Sequence, residues 1–346
     1  MLLNERERTV LNYVVHDFIE SATPVGSRYI SKRHEDVLGL SSATIRNIMS
    51  DLEYNGYLDH PHTSAGRVPT DQGYRFYLDS LMHPEAISSG DQQTIREGLD
   101  AVRDMEDILR ESSRLIGRIS RQLCVVTSPH LSSGVFEKLE LVPISAMRIL
   151  VVISIKSGLV RTIMMEAGVD VNRNHLEELA RRMNEKLGGL TLQEIRDTFV
   201  ERMRDAQDEP SGLIRLFIES VDQLFLPARA EKLHVGGTEK LIEQPEFTNP
   251  REFRSVVELI NNEEFIIHVL QKHEDPAAKT QVTVGAENQD EKLKPFSLVT
   301  ATYNVGEISG SVGVIGPTRM QYNKMIPLVD YIARTISAML SNAKVH

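Results

Sequence analysis

The sequence predicts a multidomain α+β protein, and three observations carry that expectation. The first 82 residues run as short amphipathic helical patterns separated by turn residues and include an extended pair. From Leu123 the apolar period changes from helical to alternating. Strand patterns then lie on both sides of a mostly helical middle. A chain of 346 residues also exceeds one ordinary domain, which holds roughly 100–200 residues, so two or three are expected.

Residues 5–20 carry Val10, Leu11, Val14, Val15, Phe18 and Ile19 at helical spacing, the stripe of an amphipathic helix. Thr23-Pro24-Val25-Gly26-Ser27 breaks it, and Ser27 is placed to cap a short second helix through about Arg33. After Gly39, Ser41 caps a third helix that Gly56 ends. Tyr57 to His62 is extended, Thr63 to Arg67 turn-like, and Val68-Pro69 leads to a helix at about 71–82. Three short helices and a small hairpin describe a winged helix-turn-helix over 1–82. Met82-His83-Pro84 and Ser88-Ser89-Gly90-Asp91 mark its boundary, and 91–122 reads as one long connector helix.

Beyond it, Leu139 and Leu141 alternate around Glu140. The apolar run Met147–Ile155, followed by Leu159–Met165, predicts a hairpin with a central strand covered on both faces. Residues 174–225 are helical, broken at Gly188-Gly189 and Pro210-Ser211-Gly212. Val235-Gly236-Gly237 closes a strand, and a helix covers roughly 250–272. Strands return at 281–285, 297–304 and 307–315 before a final amphipathic helix that includes Met325, Leu328 and Ile332. The pattern suggests an α+β domain interrupted by an insertion.

The third helix carries the functional signal. Ile45, Ile48, Met49 and Leu52 fall on one side; Ala43, Arg46, Asn47 and Ser50 fall on the other. A small methyl, a guanidinium fork, an amide and a hydroxyl are groups that read base edges in the major groove: Arg suits guanine, Asn suits adenine, a methyl packs on thymine. Ser41, Ser42 and Thr44 offer hydroxyls and helix-start N–H groups to phosphate. Arg28, Lys32, Arg67 and Arg75 supply further phosphate partners, and the wing tip with His62, Thr63 and Ser64 would contact the DNA backbone.

Ser41-Ser42-Ala43-Thr44-Ile45-Arg46-Asn47, then Pro61-His62-Thr63-Ser64-Ala65-Gly66-Arg67-Val68-Pro69-Thr70-Asp71 and Gly73-Tyr74-Arg75, resemble the HrcA family of bacterial heat-inducible repressors of chaperone genes. Gly236-Gly237-Thr238, Glu243-Gln244-Pro245-Glu246-Phe247 and Gly313-Val314-Ile315-Gly316-Pro317-Thr318-Arg319-Met320-Gln321-Tyr322 extend the resemblance over essentially the whole chain. It implies an N-terminal winged helix, a GAF-like domain and an inserted dimerisation domain. On that reading, 83–167 and 276–346 form the connector helix and GAF-like domain, and 168–275 the insertion. It also implies a homodimer on double-stranded DNA at an inverted-repeat operator, a GroE-type chaperonin that maintains the active repressor, and a cytoplasmic location.

Other chemistries find little support. Cys124 begins an apolar strand pattern and reads as inert, and a lone cysteine makes no internal disulfide, which points to a reducing compartment. The first residues reach charge too early for a secretory signal, and no apolar run approaches the ~20 residues of a bilayer span. His60-Pro61-His62 is a weak zinc pattern without a third ligand. Gly306, Gly310, Gly313 and Gly316 precede no Gly-Lys-Ser/Thr, no nucleophile elbow occurs, and Met164-Met165 reads as core. No cofactor, metal or enzymatic activity is therefore expected. The expected function is that of a dimeric sequence-specific repressor. The alternative is a winged-helix repressor controlled by a small ligand in the GAF-like domain.

Net charge qualifies the kind of binding. The whole chain carries −10, which argues against non-specific coating of nucleic acid, and residues 1–82 hold eight Lys/Arg against eleven Asp/Glu. Affinity should then depend on base contacts and on two half-sites acting together.

Overall fold

A computed structural model describes residues 3–61, 66–168, 172–204, 212–225, 232–272 and 280–342. The chain divides into two compact units, one of residues 1–126, 234–301 and 312–333, the other of 127–233, 302–311 and 334–346. In chain order the helices and strands are α1 (Glu5–Ser21), α2 (Ser27–Arg33), α3 (Glu35–Leu38), α4 (Ser42–Tyr54), β1 (Leu58–Asp59), β2 (Val68–Pro69), α5 (Asp71–Ser80), α6 (Ser89–Asp100), α7 (Met105–Ser120) and β3 (Leu123–Thr127). There follow β4 (Phe136–Ser145), β5 (Arg148–Ile155), β6 (Val160–Glu166), α8 (Arg173–Leu187), α9 (Leu192–Arg202), α10 (Leu213–Glu219) and α11 (Val221–Phe225). The chain continues through β7 (Leu233–Gly236), α12 (Thr238–Ile242), α13 (Pro250–Ile260), α14 (Glu263–Lys272), β8 (Gln281–Val284), β9 (Phe296–Val305), β10 (Ile308–Pro317) and α15 (Tyr322–Asn342). The fold is mixed α/β with open sheets.

The first unit begins with a helical module. Asn4 and Glu7 form a capping box at the start of α1, and Ser41 caps α4 by accepting from Thr44 N–H at 3.1 Å. Val10, Leu11, Val14 and Val15 of α1 are buried, as are Ile30 of α2 and Ile45, Met49 and Leu52 of α4. Into this apolar core the chain also brings Asp17, fully buried. His34 Nε2 lies 3.0 Å from its Oδ2 and Arg33 Nε 3.4 Å from its Oδ1, so the carboxylate ties the end of α2 to α1. The ring of Tyr13 stacks on His34, with centroids 3.9 Å apart. β1 and β2 pair antiparallel, and Val25 and Arg67 exchange two backbone hydrogen bonds of 2.8 Å, joining the hairpin to the turn before α2. A Cβ on Gly66 would lie 2.3 Å from the Val25 backbone, so only glycine permits that approach.

A five-stranded sheet in the order β7-β3-β10-β9-β8 follows, and most residues of β3, β9 and β10 are buried. Tyr322, Met325, Leu328, Val329 and Ile332 of α15 are buried as well. Gly236 and Gly237 serve a close crossing with α7, where a Cβ on Gly236 would lie 2.2 Å from Ser113 O. Cys124 is buried in β3, and desolvation pushes its thiol far above the ordinary range, so it is inert.

In the second unit β4-β5-β6 form an antiparallel sheet paired through Leu141↔Val151 and Val151↔Ile163. Ile149, Val151, Ile153, Ile163 and Met165 are buried with Leu176, Leu179 and Met183 of α8 and Phe199, Phe217 and Phe225 of the next helices. The side-chain amide of Asn184 satisfies both backbone groups of Leu139 on β4, accepting at 2.7 Å and donating at 2.9 Å.

Several expectations need correction. The helix expected over 91–122 is two helices, because the Asp104 carboxylate accepts from the N–H groups of Glu106 and Asp107 and starts α7 afresh. The helix over 250–272 is likewise divided, and Asn262 Oδ1 accepts from Phe265 N–H at the new start. Gly26, not Ser27, is the N-cap of α2; Ser27 is its first helical residue and is buried. β5 is covered on one face only, its residues alternating between buried and less buried. Met165 is core, but Met164 is half exposed on the other face. β4–β6 pair only with one another among the described residues and join α8–α11 in the second unit, whereas α12–α14 belong to the first.

Candidate nucleic-acid interface

The helical module sorts its polar side chains by whether the chain already satisfies them. On α4, Ile45, Met49 and Leu52 face the core, which turns Ala43, Arg46, Asn47 and Ser50 outward, and all four are exposed. Among the described residues neither the Arg46 guanidinium nor the Asn47 amide has a partner within the chain. Ser50 Oγ donates back to Arg46 O at 3.1 Å, leaving its lone pairs outward. At the helix start Ser41 Oγ lies 3.0 Å from Thr44 Oγ1. Ser42 and Thr44 are half-buried, and the N–H groups of Ser42 and Ala43 belong to the first turn, which has no carbonyl to meet them. A helix start with free N–H groups and a positive dipole end suits a phosphate.

Arg28 and Lys32 lie one turn apart on α2, exposed and without partners among the described residues. Arg67 is differently placed. It is only 17% exposed, its Nε lies 2.8 Å from Glu53 Oε2, and its backbone holds the bridge to Val25. Arg75 turns away altogether: its Nε donates to Glu287 Oε1 at 2.7 Å and its Nη2 to Val282 O at 2.7 Å, with Asp79 at 3.3 Å. It is engaged with the β8 region. His62, Thr63 and Ser64 lie outside the described residues.

Sequence reasoning missed Tyr54. It continues the α4 stripe at i+4 from Ser50 and is 91% exposed, an aromatic face next to the proposed base-reading groups. The same spacing that singled out Ala43, Asn47 and Ser50 could have included it. Asp17 was also missed, since nothing in its local pattern distinguishes a buried acid from a solvated one.

Two further features bear on ligands. His16, Asp17 and Glu20 bring ligand atoms within 4.8 Å of one another, but Arg33 Nη2 sits 2.6 Å from Glu20 Oε2 and already supplies the positive charge. A cavity of about 830 Å³ in the first unit is lined by Ser88, Arg121, Gln122, Gln244, Arg319 and Lys324, among others. Gln122 Oε1 is buried there without a hydrogen-bond partner among the described residues. No described helix is long and apolar enough to cross a membrane.

Comparison with known proteins agrees over nearly the whole chain. Residues 106–326 match the family described as the HrcA protein C-terminal domain. The heat-inducible transcription repressor HrcA of Chlorobium phaeobacteroides (strain BS1) is 40% identical, over 98% of this chain and 99% of its own. That of Chlorobium chlorochromatii (strain CaD3) is 38% identical over 98% of each. Among solved structures, a hypothetical protein of 25% identity covers 99% of this chain and 100% of its own with a TM-score of 0.60.

Proposed function

Because the chain belongs to the HrcA family, one of transcription repressors and not of enzymes, we propose that it represses transcription by binding an inverted-repeat operator as a homodimer. The observation that carries this reading is the exposed, unpartnered face of α4. Arg46 and Asn47 would read base edges in the major groove, with Ala43 and Ser50 beside them and Tyr54 at the far end of the stripe. Ser41, Ser42 and Thr44 at the helix start, with Arg28 and Lys32 on α2, would hold phosphates. In this reading 1–82 is a winged helix-turn-helix with β1 and β2 as its wing, and the five-stranded sheet is the GAF-like domain.

The second unit offers the dimer surface. The uncovered face of β4-β5-β6 exposes Val142, Ile144, Val160 and Met164, with Met147 exposed in the β4–β5 turn, an apolar patch that a second copy would remove from water. The protein would act in the cytoplasm on chaperone operons, with a GroE-type chaperonin restoring the repressor after heat. Operator binding lost on heating should then return when chaperonin is added, and full recovery on cooling alone would count against that control.

Footprinting the chain on DNA upstream of its own gene tests the central reading. Two protected half-sites are expected, and uniform protection would refute sequence-specific binding. With Arg28 and Lys32 as the phosphate-holding cations of each protomer, a dimer neutralising four phosphates gives a log–log salt slope of about −4. A second reading, control by a small ligand, is favoured by the cavity at Gln122; operator affinity that changes with metabolite at constant temperature would support it.

A further inference from the structure

Parts of three family signatures outside α4 have a use that base reading does not explain: Asp71, Tyr74 and Arg75, then Glu246, then Arg319 and Tyr322 meet at the joint between the helical module and the sheet of the first unit. From α5, Asp71 Oδ2 accepts from Ala286 N–H at 2.8 Å. One turn on, Arg75 forms its bidentate pair with Glu287 and donates to Val282 O. Between them the Tyr74 ring packs edge-on to Tyr322, centroids 6.2 Å apart, and Tyr322 OH is held by Ser297 Oγ and Thr318 O. The turn that receives α5 fits closely, since a Cβ on Gly285 would lie 2.2 Å from Asp71 Oδ2. A second pin reaches α1: Arg319, 12% exposed and paired with Glu246, donates Nη1 to Ile19 O at 2.7 Å. The connector itself is tied by Glu85 N–H to Asn323 O at 2.9 Å.

Resting on the operator-binding reading, we propose that Asp71, Arg75 and Glu287, with Arg319 and Glu246, are positioning residues that clamp the recognition helix in one orientation and so set the half-site spacing the dimer accepts. None of them touches DNA in this role. They remove one joint from the path between α4 and the dimer contact.

Magnitudes show why a clamp is needed. Eight residues separate α5 from α6, and at about 3.3 Å each an unclamped tether reaches roughly 26 Å. Half a turn of B-DNA is about 17 Å along the axis. A loosely tethered module would therefore reach half-sites in several phases and tolerate wrong spacings. With three pins in place it cannot shift by that distance, and spacing becomes part of recognition. Separate pins on α5, α1 and the connector also resist rotation, which a single contact would allow.

The experiment uses the full-length chain and the inverted repeat that the wild type itself selects from a random duplex pool. Fluorescence anisotropy compares three DNAs: the selected repeat, the same repeat with about five base pairs inserted at its centre, and one isolated half-site. For the wild type, two half-sites acting together favour the selected repeat over the inserted one by about 10²-fold. Arg319→Ala and the milder Glu287→Gln should bring that ratio below about tenfold while leaving half-site affinity unchanged. Arg319→Lys, which keeps the charge but not the fork, should fall between. Circular dichroism identifies the variants that fold; should Arg319→Ala fail to, Glu287→Gln and Arg319→Lys decide. Loss of stability alone would weaken all three DNAs together. An unchanged ratio in folded variants overturns the clamp alone, and a wild type that selects no two-part site overturns the operator reading and the clamp with it.

Discussion

The outer face of α4 and the inner face of α5 belong to the same module, and both are dense in polar signature residues. They differ in satisfaction. Arg46 and Asn47 have no partner among the described residues, whereas Asp71 and Arg75 each meet carboxylate or backbone groups of the β8 region. An unpartnered guanidinium held on a rigid helix remains available to an external acceptor. A guanidinium that already binds a carboxylate in two places would have to give that pair up first. In the proposed reading a shared family motif mixes two duties, and the hydrogen-bond partner of each residue separates them.

The sharpest way to break this contrast is to displace α5 bodily. A Cβ on Gly73 would sit 2.1 Å from Tyr57 O, so Gly73→Ala should cost about 3 kcal/mol through overpacking. Thermal denaturation would show it, with loss of binding to every DNA. A stable Gly73→Ala protein would mean that α5 does not pack on the hairpin as described.

The next effect belongs to the opposite face. Arg46→Ala should cost ~1–3 kcal/mol of operator affinity per half-site and relax selectivity at one base pair, with no change in melting temperature. Titration of an operator series and a melting curve check both halves. Unchanged affinity in a folded variant would remove Arg46 from base reading.

Acid should act on the inner face only. Burial pushes the Glu287 carboxyl up, yet the Arg75 guanidinium and the Val284 N–H together hold it below its ordinary value. A group depressed in the folded state contributes stability that is present above its unfolded pKa, about 4.3, and is lost as pH falls through the lower folded value. Glu287→Gln should flatten the stability profile below about pH 4, which denaturant titrations across pH would show. An identical profile would mean that the pair does not contribute to the clamp.

The smallest expected effect reverses sign. Tyr74 OH is buried without a hydrogen-bond partner among the described residues, and burial pushes its ionisation well above the ordinary range. Tyr74→Phe removes an unsatisfied hydroxyl while keeping the ring against Tyr322, so it should be neutral or stabilising by up to about 1 kcal/mol. A clear loss of stability would show that the hydroxyl is satisfied after all, by ordered water.

Periodicity and capping determine much of this protein from the sequence alone. The stripes on α1 and α4 place Val10, Val14, Ile45 and Met49 in a core because apolar spacing of 3.6 residues has one consistent burial. The same stripe turns Arg46 and Asn47 outward, since a helix has only two sides to offer. The breaks at 101–104 and 261–262 were hidden because Asp104 and Asn262 look like ordinary helix-surface residues until their side chains capture the next N–H groups. The half-open sheet of β4–β6 was hidden because an apolar run does not say how many of its faces are covered. What only the tertiary structure decided is the partner of each charge. Arg28, Arg67 and Arg75 are the same residue type, yet one is free among the described residues, one is held by a neighbouring acid and one is locked to Glu287, which is 212 residues away in the chain. Helical propensity and apolar burial act through near neighbours, so a sequence displays them. An ion pair depends on which distant backbone the fold brings within about 3 Å, and that is settled only when the whole unit packs.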